Sequence, residues 1–215
     1  MKKGLWIVIT GLDGSGKTTL KSRLVGYLKG QGKLVKDFKS PYDKYLLGLL
    51  DVIGGGLPWQ DNYTDQLLFT LDNRILSQRV KEWRSQFDVL VSQRGFLDSF
   101  VHGEVRGYNY EQVDELQKTS EMEKCDVMIH LNADPVVAFS RISDDPDADK
   151  FETIEYITQQ AAATKKAFEE VQSGNHPALK AFEGTKNIYV DTTNLSLDET
   201  FDVVLDELRK LFILK

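Results

Sequence analysis

Scarcity frames this sequence of 215 residues. Cysteine occurs once, at Cys125, so no internal disulfide can form and a reducing cytoplasm is the expected setting. Flanked by Lys124 and Asp126 before an apolar run, that thiol reads as a buried or edge side chain rather than a nucleophile. Positive charge is not in excess. The 27 Lys and Arg against 33 Asp and Glu leave a formal charge of −6, which argues against a polymeric nucleic acid partner. A nucleotide is not excluded, because one pocket can be positive on an acidic protein. No stretch approaches the ~20 apolar residues of a membrane span, and Leu5–Ile9 behind Lys2-Lys3 is too short for a signal-peptide core. A soluble, unexported chain with no membrane partner is expected. Repeats, low-complexity tracts and linkers are also missing, so residues 1–215 are expected to form a single α/β domain.

What is present begins with Gly11-Leu12-Asp13-Gly14-Ser15-Gly16-Lys17-Thr18, which fills the phosphate-loop pattern G-x-x-x-x-G-K-[ST] at every fixed position. Gly11, Gly14 and Gly16 allow a tight turn that aims backbone N–H groups, including that of Ser15, at phosphate oxygens. Lys17 supplies a point charge for the β- and γ-phosphates of ATP, and the Thr18 hydroxyl can ligate Mg²⁺. The flanks agree with the motif. Leu5–Ile9 reads as a buried strand, and Leu20, Leu24 and Leu28 place an amphipathic helix from Lys17 onward, with Thr18 and Thr19 in its first turn. Its N-terminus adds a partial positive charge to the anion site.

Strand and helix signals then alternate. Leu34–Phe38, Val89–Val91, Val127–Leu131 and Asn187–Val190 read as further strands. Tyr45, Leu46, Leu49, Leu50 and Ile53 suggest a helix after Pro41, broken by Gly54–Pro58. From about Asp61 to Ser85 a long helix is expected, with Leu67, Leu68, Leu71, Ile75, Val80 and Trp83 on its apolar face. Asp134-Pro135 starts a helix, Phe151–Val171 forms another with Ile154, Ile157, Ala161 and Phe168 as its stripe, and a capping box at Ser196–Glu199 opens the last. Apolar strands alternating with helices imply a parallel sheet covered on both faces, with ligands beyond the carboxyl ends of its strands.

On that rim, after the third strand, stands Gln93-Arg94-Gly95-Phe96-Leu97-Asp98-Ser99. A guanidinium at Arg94 can bind a second phosphate bidentately. Arg141 and Lys150 flank the acidic run Asp144–Asp149, which is either a solvated loop or a lid closing over the transferring group and excluding water.

GLDGSGKTT, the rim arginine followed by an Asp-Ser pair, and DPVVAFSRI…DKFE in this order resemble the thymidylate kinases over nearly the whole chain. The resemblance implies a phosphate-loop three-layer αβα sandwich with a five-stranded parallel sheet and a small lid at about 142–150. It also implies transfer of the ATP γ-phosphate to a (deoxy)thymidine-type monophosphate. Carried over by position, Asp13 meets the acceptor sugar's 3′ region and Arg94 grips the acceptor phosphate. Phe69 stacks on the base, Ser99 reaches its edge, and His102 stands where a tyrosine usually guards the 2′ face. Pro41 is what remains of an arginine-glutamate-proline loop near Lys39. Arg74 resembles a base-reading arginine one residue late, with Asn73 at the family's spacing. Lys17, Arg94, Arg141, Asp13 and Lys150 are the groups the resemblance places around the phosphates. Homodimers are common in the family, and the long apolar helix faces offer a surface for one.

Departures from the family pattern sharpen the question of rate. Thr10 stands for a glutamate, and Gln93 replaces an aspartate that helps organise Mg²⁺. Gly14 holds a position where some members carry a loop arginine, while Ser143 and Asp145 occupy positions where lid arginines are common. An arginine finger is worth ~10³–10⁵ in rate, so missing cations matter. Three readings therefore stand side by side: an active monophosphate kinase, a kinase for a nucleoside or other hydroxyl acceptor, and a nucleotide-binding regulator of weakened catalysis. The hydroxyl acceptor needs a base, for which Asp13 and Glu104 are candidates.

Overall fold

The computed structural model describes residues 3–42, 48, 61–143 and 153–211. Strands β1 (Leu5–Gly11), β2 (Val35–Lys39), β3 (Val89–Gln93), β4 (Val127–Asn132) and β5 (Lys186–Asp191) form one parallel sheet in the order β2-β3-β1-β4-β5. The described α-helices are α1 (Lys17–Gly30), α2 (Asn62–Gln86), α3 (Phe96–Val105), α4 (Tyr110–Gln117), α5 (Pro135–Ser143), α6 (Ile154–Ser173) and α7 (Leu197–Lys210). Because β1 pairs with β3 on one side and β4 on the other, the chain leaves its carboxyl end at a switch in strand order, where a crevice opens.

Both faces of the sheet are apolar, as a doubly covered parallel sheet requires. Ile7, Ile9, Val91 and Ile129 pack with Leu20, Leu24 and Leu28 of α1 and with Val204, Leu205 and Leu208 of α7. On the opposite face Trp6, Val8, Leu90 and Met128 meet Leu76, Val80 and Trp83 of α2, Phe100 of α3, and Ala163 and Ala167 of α6. Helix starts follow local chemistry. Asp61 accepts from the Thr64 N–H at 2.7 Å, Asp134 Oδ1 accepts from Val136 at 2.9 Å, and Ser196 and Glu199 exchange capping bonds at 3.2 and 2.8 Å.

The apolar face expected on α2 is realised only in its C-terminal half. Leu67 and Leu71 are 44% and 47% exposed, and Leu68 and Ile75 are half-buried. The buried polar positions up to residue 77 are instead Gln66, Thr70, Asp72, Asn73 and Ser77. Thr70 and Asn73 meet polar partners: Asn73 donates to Ser99 Oγ and to Gln117 Oε1, both at 2.9 Å, and Gln117 donates to Thr70 Oγ1 at 3.2 Å. A hydrogen-bonded amide layer around Asn73 takes the interior, Gln66 lies beside Gly103 with its amide unpartnered, and the leucines turn outward. Helices α3 and α4, not expected from periodicity, lie beside this layer and supply Ser99 and Gln117. Farther along, Arg84 closes α2 onto the sheet by donating to Gly4 O (2.9 Å), Lys124 O (2.7 Å) and Asp126 Oδ2 (2.5 Å). The helix expected after Pro41, its Gly54–Pro58 break, and Lys150 with all but the first two residues of the 142–150 lid fall outside the described residues.

Candidate active site

The phosphate loop leaves β1 beside β4, and two glycines are required there by sterics. Gly11 has φ 130°, and a Cβ on it would sit 1.9 Å from the Leu131 carbonyl oxygen. Gly14 has φ 79°, and its Cβ would sit 2.3 Å from Ala138 O of α5. The position at which the sequence lacks a loop arginine is therefore one where the fold admits no side chain.

Lys17 opens α1 and is buried. Its three donors go to Gly11 O (3.0 Å), Leu12 O (2.8 Å) and Asp13 Oδ1 (2.9 Å). Arg94 follows β3 directly. Its backbone adopts φ 64° while its N–H donates to Ile9 O at 2.8 Å, which turns the side chain from the strand line onto the rim. Its Nη2 then donates to the same Asp13 oxygen at 2.8 Å. One carboxylate oxygen thus joins the candidate donor cation to the candidate acceptor cation.

Electrostatics follow from this arrangement. Burial alone would raise the Asp13 carboxyl, but the adjacent charges of Lys17 and Arg94 outweigh it and hold the group well below the usual carboxylate range. Burial pulls the Lys17 ammonium down, with Asp13 opposing. A second acid, Asp98, is pushed up by burial, although it accepts from Thr10 Oγ1 (2.9 Å) and the Gly95 N–H (2.8 Å). Lys39, at the end of β2, is lowered by desolvation and then by the nearby Arg94 charge, which ties it electrostatically to the cluster. Pro41 follows two residues later across a cis Ser40–Pro41 bond.

Thr18 Oγ1 donates to Gln93 Oε1 at 3.2 Å, bringing two neutral oxygen ligands together at the loop. Among the described residues no group of three His, Cys, Asp or Glu side chains could hold a metal by itself.

The candidate acceptor side is built by α2 and α3. The His102 ring lies nearly parallel to that of Phe69, with centroids 6.3 Å apart and planes 11° apart, while the Arg106 guanidinium stands 5.4 Å over Phe69. Burial, then the nearby Arg94 charge, pull His102 down to about 3, so its imidazole is neutral at pH 7. Its Nδ1 shares a hydrogen bond with the Tyr156 hydroxyl at 3.1 Å. Asn73 and Ser99 are joined to each other, whereas Arg74 turns to Glu121 at 2.5 Å. Of the two neighbouring positions on α2, Asn73 is the one that belongs to the interior.

On the other side of the loop lies a cleft of about 200 Å³, lined by Gly14, Ser15, Gly16, Thr19, Thr192 and Leu197 among others. Arg141 of α5 borders it. Its Nη1 reaches Thr192 Oγ1 at 3.3 Å and Gly14 O at 3.4 Å, and its Nη2 donates to Thr192 O at 2.9 Å. The structure thus sets Arg141 against the cleft wall beyond β5, with Lys17, Asp13 and Arg94 forming the separate ionic cluster.

A family model described as Thymidylate kinase matches residues 9–189. The chain belongs to the thymidylate kinase family. A "Probable thymidylate kinase" of Methanosphaera stadtmanae is 29% identical, covering 97% of each chain. A "Thymidylate kinase" of Caldicellulosiruptor saccharolyticus is 27% identical over 97% of this chain and 98% of its own. "Probable thymidylate kinase 1" of Saccharolobus solfataricus is 30% identical over 74% of this chain and 79% of its own. The five-stranded parallel sheet and the phosphate loop at its switch point are what the resemblance to thymidylate kinases implied, and the chain is an ATP-dependent nucleoside-monophosphate kinase. Among the described residues no helix is long and apolar enough to cross a membrane.

Two side chains of the candidate site, Tyr156 and Gln160, carry no motif in the sequence. Both lie on α6, one turn apart, facing His102 and Asp13. The available signal was this polar i, i+4 pair beside the apolar Ile157 stripe.

Proposed function

We propose that the chain transfers the γ-phosphate of ATP to a thymidylate-type nucleoside monophosphate, giving ADP and the diphosphate. The observation that carries this reading is the Asp13 oxygen shared by Lys17 at 2.9 Å and Arg94 at 2.8 Å. It puts a phosphate-loop lysine and a second cation at one point, as a reaction between two phosphates needs.

In this reading the backbone of Gly11, Asp13, Gly14, Ser15 and Gly16 receives the triphosphate, and Lys17 exchanges its carbonyl partners for β- and γ-oxygens. Thr19 and Arg141 border the donor nucleoside in the cleft. Arg94 releases Asp13 to grip the acceptor phosphate, leaving Asp13 beside the acceptor sugar. Phe69 offers its ring to the base, Asn73 and Ser99 its polar edge, and neutral His102 and Pro41 the remaining walls. In sequence, Lys150 and Arg141 flank the acidic run 144–149. The acceptor phosphate is already nucleophilic, so the chain's work is alignment and charge compensation. Thr18 and Gln93 fit Mg²⁺ that arrives on the triphosphate, since they add oxygen ligands without a protein cage. When bound, Mg²⁺ supplies charge neutralisation on the phosphates.

A hydroxyl acceptor is disfavoured because neither of the two candidate bases is free to act. Asp13 is held ionised far below neutrality, and Glu104 is engaged by Lys166 at 2.5 Å. The proposal places the reaction in the cytoplasm and includes a homodimer. Tyr63, Leu67 and Leu71 lie outward at i, i+4 and i+8 on α2 and carry no charge, so two copies meet about a two-fold axis without repulsion. Sedimentation of Leu67→Lys/Leu71→Lys should give monomers where the wild type gives dimers; a monomeric wild type contradicts that part.

The catalytic test is acceptor-dependent ADP release across the common nucleoside monophosphates. Thymidylate should be the preferred acceptor. Turnover only with nucleosides would replace this reading by the hydroxyl-kinase one.

A further inference from the structure

Asp13 is held from a third side by a residue outside the phosphate-loop pattern. Gln160 of α6 is 2% exposed. Its Oε1 accepts from the Asp13 N–H at 3.3 Å, and its Nε2 donates to Asp13 Oδ2 at 3.1 Å. One planar amide therefore binds the backbone and the side chain of the same residue. The two carboxylate oxygens divide their duties: Oδ1 takes both cations and Oδ2 takes the amide.

Few side chains can do this. A carboxylate cannot donate, and an ammonium or guanidinium cannot accept and adds a third cation beside Lys17 and Arg94. A hydrocarbon leaves Oδ2 and the loop N–H unsatisfied in a buried place. The terminal torsion of an aspartate is soft, so a carboxylate held at Oδ1 alone can rotate and surrender one of its cations.

We propose that Gln160 is a positioning residue of the kinase: it fixes the rotation of the Asp13 carboxylate, so that Oδ1 stays on Lys17 and turned to the acceptor side when Arg94 leaves it for the acceptor phosphate. The inference rests on the reading of those two cations as donor and acceptor grips.

Two variants test it. Gln160→Leu removes both hydrogen bonds at similar volume. Acceptor KM should rise and kcat fall by about tenfold each, while the dissociation constant of ATP measured without acceptor stays within about twofold. Gln160→Glu is the sharper probe. With its carboxyl protonated it retains one O–H donor for Oδ2 and one carbonyl for the loop N–H, so its activity should approach wild type at low pH. As the new carboxyl ionises, two carboxylates face each other, and activity relative to wild type should fall with rising pH at a temperature where circular dichroism shows the variant still folded. The inference is overturned if Gln160→Leu has wild-type kinetic constants, if the Gln160→Glu profile parallels wild type, or if its loss of activity equals the fraction unfolded at the assay temperature. A wild-type protein without acceptor-dependent turnover overturns the functional reading instead, so the two failures are distinguishable.

Discussion

Arg94 Nη2 lies 2.8 Å from Asp13 Oδ1, tying the residue that follows β3 to the interior of the phosphate loop. A carboxylate oxygen thus occupies a place between two cations that a phosphate oxygen can take over. Arg94→Ala removes one of those cations and leaves Lys17 intact. Acceptor KM should rise roughly 100-fold, from losing a partly buried charge-assisted contact of about 2–4 kcal/mol, while ATP affinity changes little. Titration calorimetry with each nucleotide separately checks this; an equal loss for both ligands contradicts the assignment.

Gly14 bears on the missing loop arginine. With φ 79° and Ala138 O only 2.3 Å from a Cβ there, Gly14→Arg should not gain activity. It should instead displace α5 from the loop, lowering kcat by at least about tenfold and costing on the order of 1–3 kcal/mol of stability. Steady-state kinetics and thermal melting of the variant decide it, and a faster, equally stable variant speaks against the steric account.

Asn73 and Arg74 part company on α2. Asn73 is buried and bonded to Ser99 and Gln117, whereas Arg74 pairs with Glu121 at the surface. Arg74→Ala should leave acceptor KM within about twofold, since exposed pairs contribute about 0–1 kcal/mol. Asn73→Ala strands buried partners, at about 1–3 kcal/mol of stability, and should also raise acceptor KM. The reverse ranking in acceptor kinetics would return the base-reading role to Arg74.

How much of this was legible in the sequence depends on the kind of signal. The phosphate loop and the rim position of Arg94 could be read because strand runs and glycine spacing are local. The inward face of α2 could not. Leu67 and Leu71 outrank Asn73 in hydrophobicity, and only the placement of Ser99 and Gln117 on helices without clear periodicity shows why the amides win the interior. Gln160 was hidden for a related reason: its partner is 147 residues away. Gly14 was read as an absent cation, while packing against α5 makes it a steric requirement.

His130 gives a pH test of the fold. It is buried on β4, packed edge-on against Phe168 at 4.6 Å, and burial draws it down to about 4 from the ordinary 6.5. Between those values the unfolded chain binds a proton that the folded one refuses. Stability from this group is therefore complete above pH 6.5 and is lost as pH falls towards 4, by a few kcal/mol at most. His130→Phe should flatten that slope in denaturant titrations at pH 7 and pH 4.5. An unchanged slope would mean His130 is not the group that titrates.

The central claim is that one site brings a phosphate donor and a phosphate acceptor together. Its most direct measurement is ³¹P NMR of the wild-type protein with ATP, Mg²⁺ and thymidylate. Growth of thymidine diphosphate and ADP resonances in equal amounts, with none when thymidylate is omitted, is the predicted result. ADP appearing with inorganic phosphate alone, or no product with any nucleoside monophosphate, contradicts it.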